Sequence, residues 1–336
     1  MASFPRVILL ATLAALTLQC GPGTRTTPVA VALRDGPVVV ISLDGVRSEE
    51  FFQGAYSFYG YNEPERSRAE LFPFLWKDLA KRNKTLILGD RFSTQERCLI
   101  NNQVGLSLPA YADLLSATRQ YNVVNNRFRG RVAYPTIPDR LIALGLAPQR
   151  IALFASWKHI ENVASQNPVP AFHVETGRIG TGEKPPWKDA RYDADLMISI
   201  KRFLQNNPAP PRLLYIIFND ADEWGHLGHY ENYLQAIRNQ DGHVKDLFQT
   251  LESFDVFRGK TTYIITTDHG RGRGRYWRHH SWRIGGTQFI WAFIYSPRMS
   301  GEAGRIQMAR NELQNHCSHL TIANYVYHLL APPGSP

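Results

Sequence analysis

The chain has 336 residues, of which 43% are hydrophobic, 12% aromatic and 20% charged. This composition is typical of a globular protein and excludes a chain that is disordered over most of its length. The net charge of +9 favours anionic substrates or surfaces, but the sequence has no Lys/Arg block of the nucleic-acid-binding kind, so no nucleic-acid-binding module is expected.

The N-terminus has the pattern of an export signal. An apolar stretch over residues 7–18 is too short to span a bilayer comfortably and has the length of a signal-peptide core. The order LTLQC that ends at Cys20 is similar to a bacterial lipobox, although glutamine stands where a small residue is usual. We therefore predict a signal segment over 1–20 and a linker over 21–36. The mature protein is expected in the bacterial periplasm or cell envelope, either lipid-anchored through Cys20 or simply secreted.

Apolar runs then alternate with segments of helical spacing. Runs that predict buried strands cover residues 37–43, 85–88, 150–156, 212–218, 261–267 and 289–295. Segments that predict helices cover residues 71–79, 108–116, 138–144, 192–204, 230–251 and 319–330. This alternation predicts an α/β fold, with a mostly parallel central sheet flanked by helices on both faces.

The predicted strands and helices indicate a single domain over residues 37–332. A stretch near 163–190 is rich in Pro and Gly and predicts a long loop or small insertion. Two cysteines fall within the domain, Cys98 and Cys317. Export would permit them to form a disulfide, and two buried free thiols are the alternative.

Acidic residues follow three of the predicted strands. Asp44 comes after the first strand, Asp222 after the fourth and Asp268 after the fifth. Ligands of parallel sheets gather at the carboxyl ends of the strands, so we expect these carboxylates to lie close together. A single Asp after a strand is often only a turn residue, but three in equivalent places indicate a site.

Histidines accompany these carboxylates. His226 follows Asp222 by four residues, His269 is adjacent to Asp268, and His280 lies shortly afterwards. Carboxylates mixed with imidazoles favour zinc or manganese over magnesium or calcium. The ligands outnumber those that one tetrahedral ion needs, so the sequence predicts two divalent metal ions, with Zn²⁺ first and Mn²⁺ as the alternative.

Ser107 precedes the predicted helix at 108–116. Pro109 fits a helix start, and a hydroxyl at the positive end of a helix dipole is well placed to meet a phosphate group. The alternative is that Ser107 is an ordinary helix N-cap.

The order of these segments resembles the alkaline phosphatase superfamily, which includes nucleotide pyrophosphatases/phosphodiesterases, cofactor-independent phosphoglycerate mutases, phosphopentomutases and arylsulfatases. The segments that carry the resemblance are the first strand ending at Asp44, SLPAY from Ser107, Asp-x-x-x-His from Asp222, Asp-His-Gly from Asp268, and the Trp-x-x-His that ends at His280. The resemblance covers nearly the whole mature chain.

The resemblance implies a role for each site residue. Ser107 would be the nucleophile, and Asn125 would hold a phosphoryl oxygen, with Asn122 and Asn126 as competing candidates. One metal ion would be held by Asp222, His226 and His280, and the second by Asp44, Asp268 and His269.

Several positions depart from the family pattern or leave alternatives open. Ser281 stands where the family usually has Gly, so His279 rivals His280 as a ligand, and His229 rivals His226. Ala117 likewise stands where Gly is common. Glu223 would either orient His226 or form a surface ion pair. The arginines near the last metal segment would either bind a substrate anion or form a solvated loop: Arg271, Arg273, Arg275, Arg278 and Arg283.

These features together predict an exported two-metal phosphohydrolase that cleaves mono- or diesters of a small phosphorylated substrate through a phosphoserine intermediate. A sulfatase is disfavoured because Tyr111 stands where the formylglycine motif needs Arg. A phosphotransferase would use the same site with an alcohol in place of water, but such enzymes usually carry membrane helices. Here membrane contact is expected only through the lipid anchor. A non-catalytic metal-dependent binding protein of the same fold is the alternative from another class.

Overall fold

The computed structural model describes residues 36–55, 65–93, 97–177, 184–333 and 335. The predicted signal segment, linker and lipobox lie outside these residues. Within the described ranges, no helix combines the length and apolar character needed to cross a membrane.

The described strands form one large mixed sheet and one small one. In chain order they are β1 (Val38–Leu43), β2 (Thr85–Leu88), β3 (Cys98–Leu99), β4 (Ile151–Ala155), β5 (His173–Thr176), β6 (Leu213–Phe218), β7 (Thr262–Thr266), β8 (Phe289–Ile290) and β9 (Ala292–Tyr295). The large sheet has seven strands in the order β2-β9-β7-β1-β6-β4-β5. β9 runs antiparallel to both of its neighbours, and the other pairings are parallel. The predicted fold class is thereby confirmed.

Helices cover both faces of this sheet. They are α1 (Ser48–Phe52), α2 (Arg68–Leu71), α3 (Ser107–Ser116), α4 (Ile137–Ala143), α5 (Asp193–Asn206), α6 (Asp220–Leu227), α7 (Tyr230–Glu252), α8 (Arg305–Asn315) and α9 (His319–Leu330). The central strand β1 is buried along its whole length. Its alternate side chains enter two separate cores, Val40 with α3, α4 and α9, and Val39 with α5 and α7. The period of two in a strand thus distributes one apolar run between the two faces.

Some predicted elements differ from the structure. The apolar run 289–295 is two strands, because Trp291 leaves the ladder, stacks on Phe51 and donates its indole N–H to the Val46 carbonyl at 2.9 Å. The predicted helix 71–79 is the end of α2 followed by a π-helical turn over Phe74–Leu79. Sequence reasoning also missed α1, α6, α8, β3 and β5, of which β5 lies in the Pro- and Gly-rich stretch.

A disulfide joins Cys98 to Cys317, with the two Cα atoms 4.4 Å apart. It connects the start of β3 to the residues just before α9. The alternative of two free thiols is therefore excluded, and the C-terminal helix is covalently tied to the segment that leads into α3.

Candidate metal centre

Three neighbouring strands bring the predicted acidic ligands together. β1 lies between β6 and β7, so Asp44, α6 and Asp268 all begin at the same edge of the sheet. The turn after β1 is tight, and the Gly45 N–H donates to Asp268 Oδ1 at 3.0 Å. Gly45 has a φ of +66°, and a Cβ there would lie 2.3 Å from Asp222 Oδ1. Glycine is thus required both by the backbone and by the close approach of Asp222.

Asp44, Asp268 and His269 form what we call the inner cluster. All three are buried, and their ligand atoms lie within 4.8 Å of one another. His269 Nε2 is 3.2 Å from Asp268 Oδ2 and 3.7 Å from Asp44 Oδ1. Neither of those two oxygens has a hydrogen-bond partner among the described residues. Buried carboxylate oxygens without donors are costly unless a cation meets them, so the inner cluster fits a metal ion.

Neighbouring groups orient the inner ligands. The Gly270 carbonyl lies 3.0 Å from His269 Nδ1, which places the proton on Nδ1 and turns the Nε2 lone pair toward the carboxylates. The Tyr111 hydroxyl donates to Asp44 Oδ2 at 2.9 Å. The His269 backbone N–H donates to Asp268 Oδ1 at 2.9 Å. Each of the two carboxylates therefore accepts hydrogen bonds from the protein through one oxygen, and its other oxygen faces the centre of the cluster.

Asp222, His226 and His280 form the outer cluster. Asp222 and His226 are four residues apart on α6, which places their side chains on one face, with His226 Nε2 3.1 Å from Asp222 Oδ2. His280 Nε2 lies 3.0 Å from His226 Nε2, and its Nδ1 is held 2.9 Å from the Gly105 carbonyl. The His226 side chain is 45% exposed, so this cluster forms the solvent side of the centre.

The two clusters adjoin each other through His269. Its ring stacks on that of His280 with centroids 3.7 Å apart. The ligand atoms of Asp222, His269 and His280 also lie within 4.8 Å of one another. The structure therefore contains two adjoining groups of buried carboxylates and imidazoles, both of which include His269 and could hold divalent metal ions.

The electrostatics of the centre favour bound cations. Burial, followed by the charges of Asp268 and Asp222, raises the pKa of Asp44 well above its ordinary value. Burial also raises the pKa of Asp268. Burial, followed by the charge of His269, lowers the pKa of His280 well below its ordinary value and keeps its imidazole neutral. Crowded carboxylates beside the neutral imidazole of His280 are a donor set that a divalent cation stabilises.

The rival histidines lie away from the clusters. His279 is exposed, whereas the adjacent His280 is buried against His269. His229 is exposed at the start of α7, where its ring contacts Trp224.

Ser107 adjoins the inner cluster. It is 4% exposed, and its Oγ lies 3.2 Å from His269 Nε2. Leu106 occupies the N-cap position of α3, and Ser107 is the first helical residue. The interpretation of Ser107 as an ordinary N-cap is therefore wrong. Its hydroxyl is instead held at the positive end of α3 and beside candidate metal ligands.

The three candidate asparagines have different surroundings. Asn125 is exposed, and its Oδ1 accepts from the Arg127 N–H within its own loop. Asn122 is exposed and bonds backbone groups of the residues that follow. Asn126 accepts the Leu108 N–H at 2.9 Å and so contacts the first turn of α3. The structure connects Asn126, rather than Asn125, to the Ser107 segment.

Arg271 and Glu223 make contacts that the sequence did not anticipate. Arg271 is buried and pairs with Asp222, so it adjoins the outer cluster and does not lie in a solvated loop. Burial opposes the ionisation of Asp222, but His226 and Arg271 outweigh it and hold the pKa of Asp222 well below its ordinary value. Glu223 hydrogen-bonds Asn219 at 3.0 Å, and its pKa is raised to about 7 by burial and then by Asp222.

Residues 28–302 match the family described as the metalloenzyme superfamily. The chain belongs to this superfamily, which is that of alkaline phosphatase. No curated protein matches the chain at a significant level.

Solved structures with this fold include enzymes of different activities. The C-terminal periplasmic domain of phosphoethanolamine transferase EptC from Campylobacter jejuni is 10% identical, with a TM-score of 0.55 and coverage of 89% of this chain and 91% of that domain. Lipoteichoic acid synthase LtaP from Listeria monocytogenes is 14% identical, with a TM-score of 0.57 and coverage of 93% and 76%. Alkaline phosphatase from the Antarctic bacterium TAB5 is 12% identical, with a TM-score of 0.50 and coverage of 89% and 98%. Identities this low show a shared fold and leave the reaction open.

Proposed function

We propose that this protein is an exported, metal-dependent hydrolase of phosphate mono- or diesters with Ser107 as its nucleophile. The observation that carries the proposal is the position of the Ser107 hydroxyl, 3.2 Å from His269 Nε2 at the start of α3. A hydroxyl, two adjoining ligand clusters and a helix N-terminus are the parts that phosphoryl transfer needs.

Each cluster would hold one ion, the outer one through Asp222, His226 and His280 and the inner one through Asp44, Asp268 and His269. The mixture of carboxylates and imidazoles favours Zn²⁺, with Mn²⁺ as the alternative. Such ions, when bound, lower the pKa of an adjacent hydroxyl and neutralise the charge of a phosphoryl group.

Ser107 Oγ attacks phosphorus, gives up its proton to solvent, and becomes a phosphoserine as the bond from phosphorus to the leaving oxygen breaks. The leaving alcohol takes up a proton from solvent. Water then attacks phosphorus, the bond from phosphorus to Ser107 Oγ breaks, and this oxygen takes up a proton released by the water. Phosphate leaves if the substrate is a monoester, and a phosphate monoester leaves if it is a diester. The positive end of α3 faces this phosphoryl group throughout.

Asn126 is the amide we assign to a phosphoryl oxygen in place of Asn125. Its Oδ1 is occupied by the Leu108 N–H, so its remaining polar group is the donating NH₂. An amide that is hydrogen-bonded to the first turn of α3, beside Ser107, can hold a phosphoryl oxygen while the hydroxyl attacks.

Tyr111 supports phosphate over sulfate ester cleavage. It stands where the formylglycine motif of sulfatases needs Arg, and its buried hydroxyl is committed to Asp44. Transfer to an alcohol rather than to water uses the same site. Supplying ethanolamine or glycerol with the substrate and measuring free phosphate against the phosphorylated alcohol separates the two reactions.

Export is supported by the Cys98–Cys317 disulfide, since disulfides persist mainly in oxidising compartments. The bacterial periplasm or cell envelope is therefore the proposed location. The lipid anchor at Cys20 stays a prediction, and mass spectrometry of the mature N-terminus tests it.

The deciding experiment compares wild type with Ser107→Ala on nitrophenyl phosphate mono- and diesters in Zn²⁺ or Mn²⁺. We expect turnover to fall by at least about 1,000-fold while two metal ions per chain are retained, because the hydroxyl is removed and the ligands are not. Ser116→Ala is the matched control. Ser116 is a buried serine of α3 whose hydroxyl has no hydrogen-bond partner among the described residues, so activity should persist.

Two outcomes would contradict the proposal. An active Ser107→Ala variant would remove the nucleophile assignment. A wild-type protein that binds metal but hydrolyses neither ester would favour a non-catalytic binding protein.

A further inference from the structure

The Arg271 guanidinium is fixed in the wall of the outer cluster. It is fully buried, and its Nη1 pairs with Asp222 Oδ1. Nε donates to the Trp277 carbonyl at 2.9 Å, and Nη2 donates to the Arg278 carbonyl at 2.7 Å. Each of its three nitrogens is therefore engaged by the protein, so the charge cannot swing away from Asp222 without breaking buried bonds.

Two glycines make room for this side chain. A Cβ at Gly225 would lie 2.6 Å from Arg271 Cζ, and a Cβ at Gly45 would lie 2.9 Å from Nη1. Both distances are shorter than real carbon contacts permit. The backbone on two sides is thus shaped to hold a guanidinium next to Asp222, which makes its position part of the fold.

The two clusters consequently differ in charge. The outer cluster has one carboxylate, and Arg271 offsets its charge, leaving Asp222 Oδ2 as the oxygen that faces His226. The inner cluster has two carboxylates, and among the described residues their hydrogen-bond donors are neutral: the Tyr111 hydroxyl and the N–H groups of Gly45 and His269. A divalent cation is therefore attracted far more strongly to the inner cluster.

We propose that Arg271 makes the two metal sites unequal, so that the inner cluster fills first and the outer cluster binds its ion weakly. This inference rests on the proposed two-metal site. It assigns Arg271 as a residue that sets metal affinity, acting through Asp222 rather than on the substrate.

Arg271 also has an effect that raises the metal affinity of the outer cluster, because it orients Asp222. Loss of such an orienting contact costs metal affinity by about 10–100-fold. The repulsion between a fixed buried charge and a divalent ion on the same carboxylate is screened little and is the larger effect. Removing the charge should therefore tighten the outer site, and the sign of the change decides between the two effects.

The test is a calorimetric titration of metal-free protein with Zn²⁺ and with Mn²⁺, without substrate. Wild type should bind in two steps separated by at least about 10-fold in Kd. His226→Ala should remove the weaker step and Asp44→Asn the tighter one. Arg271→Met should tighten the weaker step by at least about 10-fold and leave the tighter step unchanged, because a fixed positive charge beside Asp222 is removed.

Arg273→Met is the matched control. Arg273 lies on the same loop with a side chain 47% exposed, and it pairs with Glu49 rather than with a ligand. Both steps should be unchanged. Arg271→Lys retains the charge, so its weaker step should stay weak even if the methionine variant fails to fold.

The inference is overturned if wild type binds two ions with equal affinity, if His226→Ala removes the tighter step, or if Arg271→Met leaves the weaker step unchanged or weakens it. The calorimetric titration measures metal binding alone and does not depend on enzymatic turnover. A protein with two unequal sites that hydrolyses no ester would defeat the proposed function alone, and an active hydrolase with equal sites would defeat this inference alone.

Discussion

Tyr111 shows how one hydroxyl orients Asp44, a candidate metal ligand. Burial, followed by the charges of Asp268 and Asp44, raises the pKa of Tyr111 well above its ordinary value, so its hydroxyl remains a donor. It donates to Asp44 Oδ2 at 2.9 Å and lies 3.3 Å from Ser42 Oγ. Oδ1 of Asp44 is thereby left to face His269.

We predict that Tyr111→Phe lowers the affinity for the tighter-binding metal ion by about 10–100-fold, because Asp44 loses the contact that orients it. Competition with a chelating dye measures this affinity. Tyr215→Phe is the control, since Tyr215 is a buried tyrosine whose hydroxyl has no partner among the described residues. Equal affinities of the two variants would show that Tyr111 does not orient the ligand.

The sequence could predict where the three candidate carboxylate ligands lie, but it could not predict which asparagine amide contacts α3. Asp44, Asp222 and Asp268 follow buried strands, and the sheet geometry forces such residues together. Asn125 and Asn126 lie in an irregular loop, where one residue of difference reverses which side chain reaches α3. No sequence periodicity specifies that choice.

Among the elements, α6 carries two of the three candidate ligands of the outer cluster, Asp222 and His226, and depends on a buried acid elsewhere. Asp193, at the start of α5, accepts the N–H groups of Asn219 and Asp220 at 2.8 and 3.0 Å. It also accepts from Ser156 Oγ at 2.6 Å and from Gln240 Nε2 at 2.9 Å. These bonds fix the point at which the chain leaves β6 and enters α6.

Asp193→Asn should lower the free energy of unfolding by about 2–4 kcal/mol, because the amide turns an acceptor into a donor that faces buried donors. Urea unfolding measures the change. Asp195→Asn, two residues later in the same first turn, should cost less than about 1 kcal/mol. Similar losses in both variants would mean that Asp193 contributes only through the helix dipole.

Sequence pattern identified the elements whose apolar residues are periodic and missed those that tertiary contacts define. α6 was missed because its residues, DADEWGHL, show little apolar periodicity. Strand 289–295 was predicted as continuous because its apolar run is unbroken. It is interrupted by contacts of Trp291 with Phe51 and Val46, which lie far away in sequence.

At the scale of the whole molecule, the C-terminal helix reaches the metal centre. His319, the first residue of α9, lies with Nε2 3.0 Å from the Thr267 carbonyl, immediately before Asp268. Burial lowers the pKa of His319 to about 4. The folded protein therefore holds this imidazole neutral, whereas the unfolded chain protonates it near its ordinary value.

His319 should make the protein acid-labile. A depressed folded pKa contributes stability that is present above about pH 6.5 and is lost as the pH falls toward 4, by about 3 kcal/mol. Urea unfolding of metal-free protein at pH 7, 5.5 and 4 measures this loss. His319→Gln keeps a donor for Thr267 and should show a smaller loss over the same interval. An unchanged pH dependence in the variant would assign the acid lability to other groups.

The fold class and superfamily followed from the sequence because strand and helix alternation and the Asp-His segments extend over most of the chain. The reaction did not follow, since a transferase, a synthase and a phosphatase share this fold at identities of 10 to 14%. The features that distinguish these three reactions lie in the loops and in the substrate, and the pattern of strands and helices does not encode them.

The family match ends at residue 302, but the folding unit does not. Cys317 is disulfide-bonded to Cys98 in β3, which precedes α3, and His319 hydrogen-bonds the Thr267 carbonyl, which precedes Asp268. A chain that ends at residue 302 would therefore lose the disulfide and the His319 hydrogen bond but would keep every candidate metal ligand. The residues that follow the family match therefore stabilise the region that the match covers. We expect a chain that ends at residue 302 to keep Ser107 and all the candidate metal ligands but to hold them in place less firmly.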